Sequence, residues 1–316
     1  MPDSLLILLR ALTPLHPGAG TSVGVIDMPI QREAHTLWPM IQATTLKGKL
    51  RDLCRLALVS GKMATDRPSA DKYPDLEAVF GPAIGAGASG SSIFGGALTV
   101  QDARMLAFPV RSARGVYAWV TCPYLLGRLL DDLVVFPKAK VCGGHTLVQM
   151  HLGSDEQFIS TTDAANMLMV GDVIVIEDYV LRRADTERNE IDAVAGWFSA
   201  ATGARGIKER LIVVHDDVFT HLVRFATNVV TRNKLDSQTK RVEQGALFNI
   251  ELLPVETLMY SLAMAEDARG SKRMSGADVI LAVKSLVAPT GVGPLRAQIG
   301  GDETTGKGWC EFRAVA

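Results

Sequence analysis

With 316 residues, 47% hydrophobic and 21% charged, the chain is composed like a packed globular protein, long enough for one large domain or two ordinary ones. Lys and Arg number 33 against 34 Asp and Glu, which excludes the strongly basic class of nucleic-acid binders and leaves only local clusters to act on phosphate. The four cysteines (Cys54, Cys122, Cys142 and Cys310) form no C-x-x-C pair, which argues against a disulfide framework and against a zinc site.

In chain order, the apolar run Ser4–Leu12, ended by Pro14 and Pro17, predicts a buried strand followed by a loop over Thr13–Thr21. The run is too short for a secretory signal and lacks a basic leader, and no segment approaches ~20 uninterrupted apolar residues. The expected location is therefore cytoplasmic, without a membrane partner. "GVIDMPIQRE" (24–33) then places a lone carboxylate, Asp27, after the pair Val25-Ile26; from composition it reads as a solvated turn acid. Thr44 and Thr45 are expected to cap a helix in which Leu46, Leu50, Leu53 and Ala57 keep helical spacing and which Gly61 ends. Lys47, Lys49, Arg51 and Arg55 ride on that helix. Cations in its first turns oppose the helix dipole, a small mismatch that an incoming phosphate would remove.

Residues 81–96, "GPAIGAGASGSSIFGG", cannot pack as an element and predict a flexible Gly/Ala/Ser loop or a close-approach surface. Strands are expected at Ala97–Gln101, Val116–Val120 and Val173–Leu181, and helices over Pro123–Leu133 and Glu187–Ala201. Residues 229–254 hold two β-rich arms around a polar centre, which predicts a long hairpin with Arg232, Lys234, Lys240 and Arg241 near its tip. Ser275 caps an amphipathic helix over 275–288; Leu295–Ile299, a glycine loop and the strand Trp309–Val315 follow. The outline suits an α+β fold: a modified ferredoxin-like core with large insertions, forming one decorated domain over 1–316.

The glycine loop "GGDETTGKG" (300–308) nearly satisfies the nucleotide-binding pattern G-x-x-x-x-G-K-[ST], with Gly301, Gly306 and Lys307 in register. Gly308 stands where the magnesium-binding hydroxyl belongs, Asp302 and Glu303 would face the phosphates, and "WCEFRAVA" reads as a strand where a helix is needed. The amides of Gly300 and Gly301 beside Lys307 still suit a single phosphate or a sugar-phosphate backbone, and a plain hairpin turn is the other reading.

Four stretches, "HPGAGTSVGVIDMPIQRE", "TTLKGKLR", "DARMLAFPVRSARGVYAWVTCP" and "AQIGGDETTGKG", together resemble the RAMP superfamily. Within it they resemble the backbone subunit of the type III-B CRISPR effector, the Cmr complex, from His16 to Gly308. Related proteins tend to carry "PGSSLKGALR" where this chain has "QATTLKGKLR", without the leading Pro-Gly. The resemblance implies a ferredoxin-like, RRM-related palm, copies of the chain stacked as a helical filament with other Cmr subunits, and a guide CRISPR RNA threaded along it. It implies that a thumb hairpin, matched by 229–254, interrupts the duplex of guide and single-stranded target RNA at regular intervals. Finally, it implies that an aspartate after the first strand, corresponding to Asp27, cleaves the target there with a divalent metal, Mg2+ or Mn2+.

The implied chemistry is self-consistent. RNA carries its own nucleophile, the 2′-hydroxyl, and magnesium accepts one carboxylate plus phosphate oxygens, so a single loop aspartate is enough protein ligand. His16, on the same loop, either assists proton transfer or is a loop histidine set by Pro17. Lys47, Lys49 and Arg51 are either a solvated helix face or phosphate contacts, and Arg111 and Arg114 could likewise reach phosphate. Glu243 and Glu251 either share the metal or balance neighbouring arginines. Aromatics are scarce, 6%, and no RRM stacking signature is present. Backbone gripping is thus expected, with guide binding that depends on salt and not on spacer sequence. Two other readings stand beside this one: a filament subunit that binds guide RNA without cutting, and a small-molecule nucleotide-binding α/β enzyme.

Overall fold

Leu5, Leu6, Ile7, Leu8 and Leu9 are all buried, so side chains on both faces of the first strand are covered and the strand runs through the middle of the molecule. The computed structural model describes residues 3–20, 24–83, 94–134, 136–184, 188–235, 238–239, 241–270, 272–289 and 293–315. Most of the expected 81–96 loop, Lys240, and the side chains of Lys234 and Glu243 lie outside the described residues.

The elements that position the site are, in chain order, β1 (Asp3–Ala11), α1 (Ala43–Ser60), β2 (Leu98–Val100), β3 (Ala103–Arg111), β4 (Tyr117–Thr121), α2 (Pro123–Asp132), β5 (Gln157–Ser160), β6 (Val173–Ile176) and β7 (Tyr179–Arg183). There follow α3 (Arg188–Thr202), β8 (Leu211–Val214), α4 (Asp216–Phe225), the hairpin β9 (Asn228–Leu235) and β10 (Val242–Leu252), then β11 (Leu258–Ala265), α5 (Gly276–Val287), β12 (Leu295–Gln298) and β13 (Trp309–Val315). Among the described residues, one mixed sheet runs in the order β12-β13-β1-β11-β3-β4-β8-β5-β7-β6, with β2 beside β11. From β12 to β4 every pairing is antiparallel; β8 is parallel to β4, and β7 to β5. The fold is α+β, and the hairpin β9–β10 forms a separate two-stranded ribbon.

Helix α5 packs on β1, β11 and β13 with α1 beside it, while α3 lies against β1 and β13. Trp197 and Phe198 of α3 are fully buried, so α3 closes the sheet surface that α5 leaves. One continuous apolar cluster takes residues from both halves of the sheet. No helix among the described residues is long and apolar enough to cross a membrane.

Two local expectations need correcting. Residues 173–181 are not one strand but the hairpin β6–β7: Tyr179 pairs with Ile176 across the Glu177-Asp178 turn, with Glu177 at φ +44°. Apolar residues on both arms mask the turn that this acidic pair makes. In α1 the N-cap is Gln42, whose side chain makes no capping bond; Asp102 instead takes the Ala43 N–H at 2.7 Å. A carboxylate distant in sequence does the work assigned to Thr44 and Thr45, which lie inside the first turn.

Candidate active site

Beyond β1 the chain is laid against the base of the hairpin ribbon, where Leu15 N–H donates to the Leu253 carbonyl at 3.0 Å. The next residue, His16, is 4% exposed, and its Nδ1 lies 2.8 Å from the Glu251 carbonyl oxygen. A carbonyl only accepts, so the geometry assigns the proton to Nδ1 and leaves Nε2 as the acceptor in the neutral ring. Nε2 points at Gly18, where an added Cβ would come within 2.7 Å of it. From the other side the glycine loop closes over the same residue: Gly301 N–H donates to the His16 carbonyl at 2.9 Å. Gly300 has φ +82°, and a Cβ there would sit 2.4 Å from that carbonyl oxygen, so both conformation and space demand glycine.

The "DMPIQR" segment returns along β10. Met28 N–H donates to the Asn249 carbonyl and Glu251 N–H to the Met28 carbonyl, each at 3.0 Å. Asp27 Oδ2 accepts the Asn249 N–H at 2.7 Å. The side chain is exposed, so the turn acid is pinned by one oxygen and keeps the other for a ligand.

Glu251 organises this region. Its carboxylate, 3% exposed, is ion-paired with Arg32 and accepts the Ile30 N–H at 3.1 Å and the Thr227 hydroxyl at 2.8 Å. Arg32 spends its other terminal nitrogen on the carbonyls of Leu37 and Val223, at 2.8 and 3.0 Å. Of the two readings open for Glu251, the geometry is that of balancing an arginine; a charge inside the apolar run "NIELLP" is the sequence signal for such a buried pair.

These parts enclose an open cleft of about 940 Å³ walled by His16, Gly18 and Met28, by Thr45 and Lys49 of α1, and by Gly300 and Gly301. Three stretches far apart in sequence thus meet in one place, with Asp27 next to the Met28 wall. Lys49 stands 3.7 Å from Glu303, and Arg67, absent from the sequence expectations, lines the cleft paired with Asp52 at 3.3 Å. Each cation therefore faces a carboxylate that phosphate would have to replace.

The remaining expected contacts lie elsewhere. Lys47 donates to the Leu98 carbonyl at 2.7 Å, and burial, then the neighbouring Arg51, hold its pKa below the usual lysine value. Arg51 is bound to Asp71 at 2.9 Å. Arg111, 88% exposed and paired with Glu177, and Arg114, bonded to the Met169 carbonyl, line other pockets. Arg232 is not at the hairpin tip: it pairs with Phe248 within the ribbon and donates to Asp302 at 2.7 Å, tying the ribbon to the glycine loop. Lys307 lends the loop its carbonyl, which accepts from Gln298 Nε2 at 3.0 Å, and Arg241 is exposed beside the tip.

No group of three or more His, Cys, Asp or Glu side chains among the described residues could hold a metal ion. The donor chemistry at Asp27, one hard oxygen in an open position, is compatible with a divalent cation only if a bound molecule and water supply the remaining ligands.

A mixed sheet with a separate two-stranded ribbon and a glycine-loop cleft defines an α+β scaffold with a site suited to a phosphate backbone. The chain belongs to the RAMP superfamily, whose family model matches residues 8–311. It is 33% identical over 307 residues to the CRISPR system Cmr endoribonuclease Cmr4 of Pyrococcus furiosus, covering 96% of this chain and 93% of that protein. The crystal structure of oligomeric Cmr4 from Pyrococcus furiosus superimposes with a TM-score of 0.69 at 26% identity, covering 99% of this chain and 98% of the other. A cryo-EM structure of the type III-B Cmr-beta complex bound to cognate target RNA contains a chain with the same fold, with a TM-score of 0.68 at 20% identity over 99% and 97% of the two chains.

Proposed function

We propose that this protein is the backbone subunit of a type III-B Cmr effector: an endoribonuclease that carries guide RNA in a filament of its own copies with other Cmr subunits, and cuts bound target RNA at regular intervals. The observation that carries this reading is the meeting of the His16–Met28 loop, the start of α1 and the glycine loop in one cleft beside Asp27, in a chain of this family. The succession β1–α1–β3 and β11–α5–β13, with β13, β1, β11 and β3 side by side, supports a ferredoxin-like palm. The ribbon β9–β10 is the thumb. Four cysteines without disulfides accord with work in the cytoplasm.

In this reading Thr45, Lys49 and the Gly300 amide grip the sugar-phosphate backbone, the Gly301 amide being spent on the His16 carbonyl, and Asp27 faces the linkage to be cut. His16 lines the cleft with its Nδ1 proton fixed by the Glu251 carbonyl, so its Nε2, beside Gly18 in the same wall, is the atom that would accept a proton from the RNA. The Asn249 amide fixes the Asp27 carboxylate, so its free oxygen is preorganised. A divalent ion, Mg2+ or Mn2+, bound to that oxygen would supply charge relief at phosphorus.

The test is Asp27→Asn in complex reassembled with guide RNA. The amide oxygen can keep the Asn249 bond, so target affinity is expected to persist while the periodic cuts fall by at least about a hundredfold. Undiminished cutting would leave the subunit a guide-binding scaffold only.

A further inference from the structure

Trp309 is the tryptophan that meets solvent: it is 40% exposed, while Trp38, Trp119 and Trp197 are at 3% or less. It opens β13, and its cross-strand partner is Gln298, whose amide reaches the glycine loop at the cleft wall. Residues two apart on a strand share a face, so Trp309, Glu311 and Arg313 stand on one side of β13. Directly across from Glu311 are Arg296 on β12 and Arg10 on β1.

The Glu311 carboxylate, 3% exposed, takes all three guanidiniums: Arg313 at 3.0 Å, and Arg10 and Arg296 at 3.5 Å each. Arg10 also meets Glu256 at 3.5 Å. Three cations thus share two carboxylates, and Arg296, 65% exposed, is held by a single long contact. Joining the strands through charge would need only Arg10 and Glu311. It would not need a third guanidinium at the sheet edge or an indole in water beside it. None of Trp309, Arg296 and Arg313 lines the cleft.

An exposed indole next to surplus guanidinium charge is the chemistry that holds unpaired RNA: the ring stacks on a base and the cation takes the neighbouring phosphate. We propose that Trp309, Arg296 and Arg313 form a second contact for single-stranded RNA, running from the glycine loop onto the β12–β13 corner of the sheet. The contact is separate from Asp27 and requires no cleavage.

Acrylamide quenching of tryptophan emission in the full-length protein tests it, because the quenchable emission comes from Trp309. A single-stranded oligouridylate of about 12 nucleotides is the probe. RNA is expected to shield the quenchable fraction, and Trp309→Phe to abolish that fraction while retaining RNA binding. Trp309→Ala should weaken binding roughly tenfold through the lost stacking. Arg296→Gln with Arg313→Gln should reduce the slope of log affinity against log salt by about 1.4, two phosphate contacts on a single strand. Arg296→Gln alone changes an exposed side chain and should still lower the slope by about 0.7. RNA that binds while Trp309 stays fully quenchable would overturn this contact and leave the cleft reading intact. Shielding by polyglutamate and not by RNA would overturn it in favour of an acidic protein partner. Absence of any RNA binding would sink the proposed function with it.

Discussion

The imidazole of His16 donates from Nδ1 to the backbone carbonyl of Glu251, 2.8 Å away, while the side chain of that same glutamate is paired with Arg32. One residue of β10 thereby fixes both loops of the site, the histidine through its main chain and the Asp27 segment through its carboxylate and amide. Glu251→Gln keeps the shape but leaves Arg32 without its counter-charge. Because Arg32 retains two carbonyl acceptors and is 18% exposed, the expected loss of unfolding free energy is about 2 kcal/mol, below the range for a wholly buried pair. Asp27→Ala, at an exposed turn, should cost under about 1 kcal/mol. Urea unfolding of both variants checks the contrast; equal losses would remove Glu251 from its organising place.

The glycine loop offers a sharper comparison. Gly300 and Gly306 both have positive φ, +82° and +78°, but a Cβ at Gly300 meets the His16 carbonyl at 2.4 Å, whereas at Gly306 it meets nothing within 4 Å. Gly306→Ala should therefore cost only the backbone strain, about 1 kcal/mol. Gly300→Ala should cost roughly twice that or more, since the loop must lift off His16. Thermal melts measure both, and loss of guide binding should follow Gly300→Ala alone.

What could be read from the sequence divides along physical lines. Amphipathic and punctuated elements are visible: the Ser275-capped helix α5 has its capping box with Asp278, and the 229–254 ribbon forms where its β-rich arms predict. Strands β8 and β11 give no such signal, because "LIVV" is buried throughout and "LMYSLAMA" nearly so, and continuous burial has no period. The 16–28 loop, the start of α1 and the glycine loop can each be singled out by residue type. Their meeting cannot be, nor which cations are already taken: Lys47 by a carbonyl, Arg51 by Asp71, Arg232 by Asp302. Those partners are set by tertiary contacts that local spacing does not encode.

Lys49 supplies the next expectation. It faces the cleft 3.7 Å from Glu303, whose side chain is half exposed. A pair in water contributes little to stability, yet the carboxylate competes with phosphate for the same ammonium. Glu303→Gln should leave the melting temperature nearly unchanged and tighten binding of single-stranded RNA roughly two- to fivefold at low salt, an advantage that fades as salt screens it. Weaker binding would mean that Glu303 itself contacts RNA.

Acid should loosen the site through Glu33. Its carboxylate is gripped by both terminal nitrogens of Arg128, at 2.7 and 2.9 Å, and by the Thr36 hydroxyl at 2.6 Å, which ties the segment after Arg32 to α2. Burial acts to raise the Glu33 pKa, but the bonds from Arg128 and Thr36 and the guanidinium charge outweigh it and hold the group below the usual carboxylate value. A depressed folded-state pKa contributes stability that is present above the unfolded value of about 4.3 and is lost as pH falls through the folded value. Stability should thus be flat in this contribution near neutrality and decline below about pH 4.3, and Glu33→Gln should lower it at pH 7 while flattening the acid limb. Urea unfolding followed from about pH 7 to pH 3 reads both, and an acid limb unchanged by Glu33→Gln would move the acid sensitivity to other carboxylates such as Glu311.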